Sequence, residues 1–316
     1  MSVMKKNSSG YPPVLVLGSR GMLGRDLVRR FREAAIPVVG FGLEECDITR
    51  KDRVAACVGS RPWGAVINCA AYTAVDQAES EPDLAFRVNR DGAANVADEC
   101  AAANVPLIHL STDHVFDGRA SEPYREDEEP NPVNVYGQSK WEGETAVRSR
   151  TERSLIVRTA WLYGVHGDSF VTKILALARA RDELRVIRNH WGCPTWTIDL
   201  ADCLIRMVQE VFGNGGETFW GTYHFCGRGQ ASRFDFAQAI LREGLNRERL
   251  KTTRILAVEA EEYPTPASRP PWAVLDCGKV ERVFGIVPPD WTESLALMMD
   301  ELYKSRFTDT MEGDCP

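Results

Sequence analysis

A tyrosine and a lysine four residues apart are the first residues whose types and spacing could do chemistry. They sit in Tyr136-Gly137-Gln138-Ser139-Lys140, at the start of a predicted helix. The i, i+4 spacing puts both side chains on one helix face. A free phenol has a pKa of about 10, too high for efficient proton exchange near neutrality. A nearby ammonium stabilises the phenolate and lowers that value. Tyr136 is therefore a candidate general acid or base, with Lys140 tuning it. The isolated motif is common by chance, so its context decides. Thr112 in Leu110-Ser111-Thr112-Asp113-His114-Val115-Phe116 supplies part of that context. It follows a predicted strand, and an open parallel sheet holds its ligand beyond the carboxyl ends of its strands. Its hydroxyl could there hydrogen-bond a substrate carbonyl. A hydroxyl that merely satisfies local backbone is the plainer alternative.

A glycine-rich turn supplies the rest. Gly18-Ser19-Arg20-Gly21-Met22-Leu23-Gly24 falls between an apolar run and a helical stretch, spaced GxxGxxG rather than GxGxxG. Gly18 permits the turn, Gly21 lets a pyrophosphate approach the backbone, and Gly24 lets the helix pack closely on the sheet. Met22 and Leu23 open that helix, whose free N–H groups and positive potential suit phosphates. No acid ends the second run, Val38 to Gly42, where an acid would read the ribose of NAD. Arg20 could instead reach the 2′-phosphate of NADP, so NADPH is favoured and NADH stays open. Asp47 and Ile48 come soon after and could flank the adenine.

These groups need a scaffold, and the pattern of apolar runs describes one. Short runs at 14–17, 38–41, 65–68, 107–110 and 155–158 alternate with helical stretches at 22–35, 82–103 and 137–149. Continuous apolar strands separated by helices predict a parallel sheet covered on both faces. Right-handed crossovers make that a doubly wound α/β sheet of Rossmann type. Beyond about residue 165 the alternation loosens. Helices are expected at 169–181, 198–212, 234–244 and 292–304, and a strand at 222–226 is expected to join the main sheet. Residues 263–271, rich in proline, should form a loop. The expected organisation is a nucleotide-binding domain over 13–165 and a smaller C-terminal substrate-binding domain over 166–308. Tails are expected at 1–12 and 309–316.

Composition narrows the function. The chain has 316 residues, 44% hydrophobic and 26% charged, with a formal net charge of -7. Acidic chains are poor candidates for nucleic-acid binding, which needs Lys and Arg to neutralise phosphates. The nine cysteines form no CxxC pair, so no metal site is read from them. They read as buried reduced thiols of a cytoplasmic protein. No run of 18 apolar residues predicts a membrane span, and residues 1–12 lack the apolar core of a signal peptide.

Taken together, the motifs resemble those of a known family. The glycine turn, Asn68-Cys69-Ala70-Ala71-Tyr72-Thr73-Ala74-Val75-Asp76, Ser111-Thr112-Asp113-His114 and Tyr136 to Lys140 are similar to the extended short-chain dehydrogenase/reductases. Arg158-Thr159-Ala160-Trp161-Leu162-Tyr163-Gly164, Gly192-Cys193-Pro194-Thr195 and Tyr263-Pro264-Thr265-Pro266-Ala267-Ser268-Arg269-Pro270 narrow the resemblance to the dTDP-4-dehydrorhamnose reductases. It covers roughly 13–303.

The resemblance implies reduction of the 4-keto group of a nucleotide-linked 6-deoxysugar. Tyr136 would supply the proton, Lys140 would hold the nicotinamide ribose and Thr112 would orient the carbonyl oxygen. Ala70, Ala71, Tyr72 and Asn89 match cofactor positions. Thr73, Val75, Asp113, His114 and Trp161 match positions near the sugar, and Arg269 one near the nucleotide phosphates. Trp161 is equally explained as core filler. His114 departs from the family pattern, which has tyrosine there. The family includes dimers, so a homodimer is compatible with the resemblance.

Three other readings compete. The related 4,6-dehydratases carry Thr-Asp-Glu where this chain has Thr112-Asp113-His114, and loss of the glutamate argues against them. Sugar-nucleotide epimerases retain NAD without net redox change. A non-catalytic, NADP-binding regulatory subunit of methionine adenosyltransferase type would share the fold, because fold does not fix function.

Overall fold

The computed structural model describes residues 12–213 and 219–312, with side chains described as far as residue 304. The expected tail over 1–12 therefore lies outside the described residues except for Pro12, as do residues 313–316.

The main sheet has six strands. β1 (Val14–Leu17), β2 (Val38–Phe41), β3 (Ala65–Asn68), β4 (Leu107–Thr112) and β5 (Ser154–Thr159) are joined by the Gly221–His224 strand. The order is Gly221–His224, β5, β4, β3, β1, β2, and every pairing is parallel. Strand order reverses beside β1, which makes the crevice beyond β1 and β3 the place where such a sheet takes a ligand.

The strands are apolar throughout because both faces are covered. Along β1 the side chains alternate between two separate cores. Val14 and Val16 join Leu27, Phe31, Leu204 and Met207, from helix α1 (Met22–Glu33) and the Thr197–Gly213 helix. Leu15 and Leu17 join Val54, Val58, Val96 and Cys100, from α2 (Lys51–Gly59) and the Ala93–Ala102 helix. Truncating one of these fully buried side chains, such as Leu27→Ala, costs about 2–5 kcal/mol.

The expected helix over 82–103 is interrupted. It runs as Pro82–Phe86, a π-turn at Arg87–Gly92, and Ala93–Ala102. The π-turn carries the buried Asn89. Beyond residue 165 the helices Phe170–Ala180 and Arg233–Leu245 pack around Phe236 with Met298 and Met299 of the last helix, Trp291–Glu312. A two-stranded parallel sheet, Glu183–Ile187 with Arg254–Val258, lies in this half. Its alternation was not read from the sequence. The proline-rich segment 263–271 contains neither helix nor strand.

Candidate active site

A cavity of about 480 Å³ opens beyond the carboxyl ends of β1, β3, β4 and β5. Its first wall is the glycine turn. Gly18 has φ +75°, and a Cβ there would lie 2.6 Å from the Ala70 nitrogen. A side chain at Gly24 would meet the Gly18 carbonyl at 2.3 Å, so α1 starts tight against the turn. Gly21 caps α1 without a side-chain hydrogen bond. The first N–H groups of the helix, at Met22 and Leu23, therefore stand without a capping side chain at the cavity wall. That is the construction that receives a phosphate.

The opposite wall carries the Tyr-Lys pair. Asn134 caps the Val135–Arg148 helix, its Oδ1 accepting from the Gly137 N–H at 2.7 Å. Tyr136 and Lys140 follow on one face, and both line the cavity. The Lys140 ammonium donates to the Leu110 carbonyl at 2.6 Å. Burial draws its pKa down to about 8, with Glu144 opposing. Tyr136 differs from the expectation that Lys140 would lower it. Burial pushes its phenol up to about 12, the Thr112 hydroxyl opposes that rise, and Asp113 adds to it. The ammonium is turned toward Leu110 instead. At neutral pH Tyr136 therefore keeps its proton, as a donor must.

Thr112 ends β4. Its Oγ1 donates to Asp113 Oδ1 at 2.8 Å and accepts from the His114 N–H at 3.2 Å. Beneath it, Ser111 donates to Glu144 at 2.6 Å, and Glu144 takes two bonds from Arg158, at 2.9 and 2.8 Å. Glu144 and Arg158 are fully buried. This network pins the end of β4 to the helix that carries Tyr136.

Two buried oxygens in the cavity wall, Asp113 Oδ2 and Thr159 Oγ1, have no hydrogen-bond partner among the described residues. Buried polar groups are ordinarily satisfied, so these two oxygens are open to hydroxyls of a ligand in the cavity. With the free helix N-terminus opposite, the residues present fit a dinucleotide beside a hydroxylated substrate.

His114 is held by Asn134. The Asn134 amide is oriented by Gly137 at Oδ1 and by the Ser268 carbonyl, 2.7 Å from Nδ2. The same Nδ2 donates to His114 Nδ1 at 3.0 Å. His114 Nδ1 is then an acceptor, and Nε2 carries the proton. Burial lowers the pKa of this imidazole, so it stays neutral at pH 7. Its ring meets Tyr136 edge-on at 5.4 Å. Trp161 has φ +42°, an unusual backbone for a non-glycine residue, and its ring lines the cavity. It also packs against two hydrophobic cores, so it both fills and borders the cavity.

Ala71, Thr73 and Val75 also line the cavity, whereas several other residues singled out by sequence lie back from it. Asn89 is buried. It accepts from the Tyr72 N–H at 2.9 Å and donates to the Tyr72 carbonyl and to Ser139. It braces the Ala70–Tyr72 backbone against the Tyr136 helix, with its amide fully engaged. Ala70 donates its N–H to Asn68, and the Tyr72 hydroxyl donates to Glu81. Asp47 caps its own turn at Thr49, and Ile48 is core. Arg269 pairs with Asp76 at 2.7 Å. Arg20 reaches the end of β2 but is paired with Glu44 and Glu45. Those acids come just after Gly42 in sequence, and Glu45 folds back to accept the Gly42 N–H at 2.9 Å. Sequence reading missed Thr159, Asp168 and Arg233 in the cavity wall. Thr159 stands in a quoted motif without a role read for it, and Asp168 and Arg233 belong to no local pattern.

A parallel six-stranded sheet whose crevice joins a glycine turn to a Tyr-Lys pair is the arrangement of the Rossmann-type reductases. Residues 13–304 match the family model described as RmlD substrate binding domain. A dTDP-4-dehydrorhamnose reductase of Sinorhizobium fredii is 38% identical over 281 residues, 88% of this chain and 94% of its own. The crystal structure of a dTDP-4-dehydrorhamnose reductase from Clostridium acetobutylicum superposes with a TM-score of 0.85 at 35% identity, covering 92% of this chain and 99% of the other. The same enzyme from Bacillus anthracis, solved in complex with NADP, gives 0.85 at 34% identity, with the same coverage. The chain belongs to the RmlD family of dTDP-4-dehydrorhamnose reductases.

Proposed function

We propose that the protein uses NADPH to reduce the 4-keto group of dTDP-4-dehydro-L-rhamnose, or a close nucleotide 4-keto-6-deoxysugar, to the alcohol. The observation that carries this reading is that Thr112, Tyr136 and Lys140 meet in one cavity with the glycine turn. Family membership and the NADP complex of the Bacillus anthracis relative support it.

The residues of the chain divide the work. The α1 N-terminus with Gly18 and Gly21 holds the pyrophosphate of the cofactor, which supplies the hydride when bound. Lys140 holds the nicotinamide ribose. Thr112 orients the substrate carbonyl oxygen, and Tyr136 donates the proton that converts the new alkoxide to a hydroxyl. Asp113 accepts a sugar hydroxyl. His114, Trp161, Thr73 and Val75 shape the sugar pocket. Arg20, released from Glu44 and Glu45, meets the 2′-phosphate.

The reading includes cytoplasmic location, where the thiols stay reduced. Among the described residues no helix is long and apolar enough to cross a membrane. It also includes a homodimer, on the family resemblance. Light scattering at working concentration checks this, and a mass near 35.3 kDa would remove it. For the reaction, purified protein is mixed with NADPH and dTDP-4-dehydro-L-rhamnose. One dTDP-L-rhamnose should form per NADPH oxidised. Absence of turnover with this sugar and its 4-keto-6-deoxy analogues, with cofactor bound, would overturn the reading.

A further inference from the structure

Arg233 is the first residue of the Arg233–Leu245 helix, far in sequence from every motif described above. Its side chain lines the same cavity as Thr112 and Tyr136. The guanidinium lies over the Trp161 ring, 3.5 Å from its centroid, with the Phe170 ring at 5.1 Å. Among the described residues no carboxylate forms an ion pair with it and no side-chain hydrogen bond engages it. The other arginine of this neighbourhood, Arg269, is already paired with Asp76.

Arg233 is half-buried at the cavity wall, so its guanidinium, without a paired carboxylate, is open to an anionic ligand. Burial holds the Arg233 guanidinium down to about 10, with Asp113 opposing and Arg269 adding to the fall. Arg269 and Arg233 also both depress the imidazoles of His114 and His190. Asp113 opposes them at His114 and Glu261 at His190, but neither carboxylate forms an ion pair with Arg233.

Stacking decides how the charge is presented. A guanidinium lying flat on an indole has one face covered while its N–H groups point outward in the plane. That fork suits an anion with two oxygens side by side, and phosphate is such an anion. The 4-keto-6-deoxysugar itself is neutral. Its carbonyl is served by Thr112 and Tyr136, and its hydroxyls have acceptors at Asp113 and Thr159. The one charged part of the substrate is the diphosphate that joins sugar to nucleoside.

We propose that Arg233, stacked on Trp161, is the residue that binds the diphosphate of the nucleotide sugar. The inference rests on the nucleotide-sugar reading above and names the group that recognises its anionic part. Trp161 then serves as the platform that fixes the fork, which gives its uncommon backbone a purpose.

Calorimetry on the full chain tests this with three probes: thymidine, dTMP and dTDP. In the wild type, affinity should rise from thymidine to dTDP. Arg233→Met should weaken dTDP on the order of ten- to a hundred-fold, the loss of a charged hydrogen-bonding pair. Thymidine affinity should stay within two-fold, which loss of a merely structural support would not allow. Arg233→Lys keeps the charge but not the fork and should recover part of the loss. With the keto-sugar, Arg233→Met should raise KM more than it lowers kcat. NADPH affinity and melting temperature report whether each variant is folded. If Arg233→Met misfolds, the Arg233→Lys and Arg233→Gln pair carries the comparison.

Equal dTDP affinity in wild type and folded variants overturns the inference, whatever the turnover. Absence of any nucleoside diphosphate binding to the wild type, with UDP and GDP also tried, overturns it as well. Arg233-dependent binding of a nucleoside diphosphate without turnover of the thymidine sugar supports the inference and removes the reading of the substrate instead.

Discussion

The ammonium of Lys140 donates to the carbonyl of Leu110 at 2.6 Å. One bond thereby ties the helix of Tyr136 to the strand of Thr112. The two groups proposed to meet the substrate carbonyl are set against each other by a third that touches the backbone between them. Glu144 reinforces the tie from below through Ser111 and Arg158. The proposed proton donor thus rests on a rigid support, as efficient positioning requires.

Lys140 loses its charge as pH rises through about 8. Cofactor affinity and kcat/KM should therefore fall above that pH. Lys140→Arg should move the fall to higher pH, and Lys140→Met should show the weakened binding at every pH. Unfolding through this group does not explain such a fall. Between about 8 and the ordinary lysine value near 10.4, the unfolded chain binds more protons, so this group's contribution to stability rises with pH. A flat wild-type profile from pH 7 to 9.5 would remove the assignment.

Glu144 is held at about 2, below the usual carboxylate range, because Arg158, Ser111 and Arg148 stabilise its charge against burial. Its stability contribution is present above the ordinary glutamate value and lost as pH falls toward 2. Glu144→Gln leaves the buried Arg158 without its counter-charge, at a cost of about 3–5 kcal/mol. Melting curves at pH 7 should show a large drop. The gap between variant and wild type should narrow as pH falls below about 4. A gap independent of pH would show that packing, not charge, is what the substitution removed.

Arg20 is exposed, and its pairs with Glu44 and Glu45 lie in water, where such pairs contribute about 0–1 kcal/mol. A phosphate can displace them at little cost. Arg20→Ala should weaken NADPH several-fold and leave NADH nearly unchanged. Glu44→Gln should strengthen NADPH, because one competitor for the guanidinium is gone. Titrations of both cofactors with both variants check this. Equal losses for NADPH and NADH in Arg20→Ala would show that Arg20 does not read the 2′-phosphate.

What was legible in the sequence was what is local. The glycine turn announces itself because Gly18 to Gly24 are contiguous and follow β1. Tyr136 and Lys140 share a helix face by spacing alone, and the apolar runs of a doubly covered sheet are hard to mistake. Arg233 was not legible. It stands at a helix start some hundred residues from Tyr136, and only folding brings it over Trp161. Glu45 was not legible for a similar reason, since its turn folds back onto Gly42 just beyond the end of β2. For Asn89 the chain shows only a position that matches a cofactor site. Its three hydrogen bonds to Tyr72 and Ser139 are tertiary and invisible in the chain.

Tyr136→Phe is the most direct test of proton transfer. The substitution removes one hydroxyl and keeps the ring that packs edge-on against His114. Folding and NADPH affinity should stay nearly intact. The alkoxide that hydride arrival creates would lose its placed donor, since the phenol, held near 12, is protonated at every working pH. General acid catalysis contributes typically about 10²–10⁴-fold, and the fall in kcat should be of that order. Thr112→Val should also slow the reaction without changing cofactor affinity, because its proposed partner is the substrate oxygen. It should in addition disturb Asp113, whose Oδ1 accepts from the lost hydroxyl, so its KM should rise where that of Tyr136→Phe does not. Steady-state kinetics with NADPH and its deuterated form separate these effects. If Tyr136→Phe keeps the wild-type kcat while an isotope effect shows that hydride transfer limits the rate, the proton comes from another group.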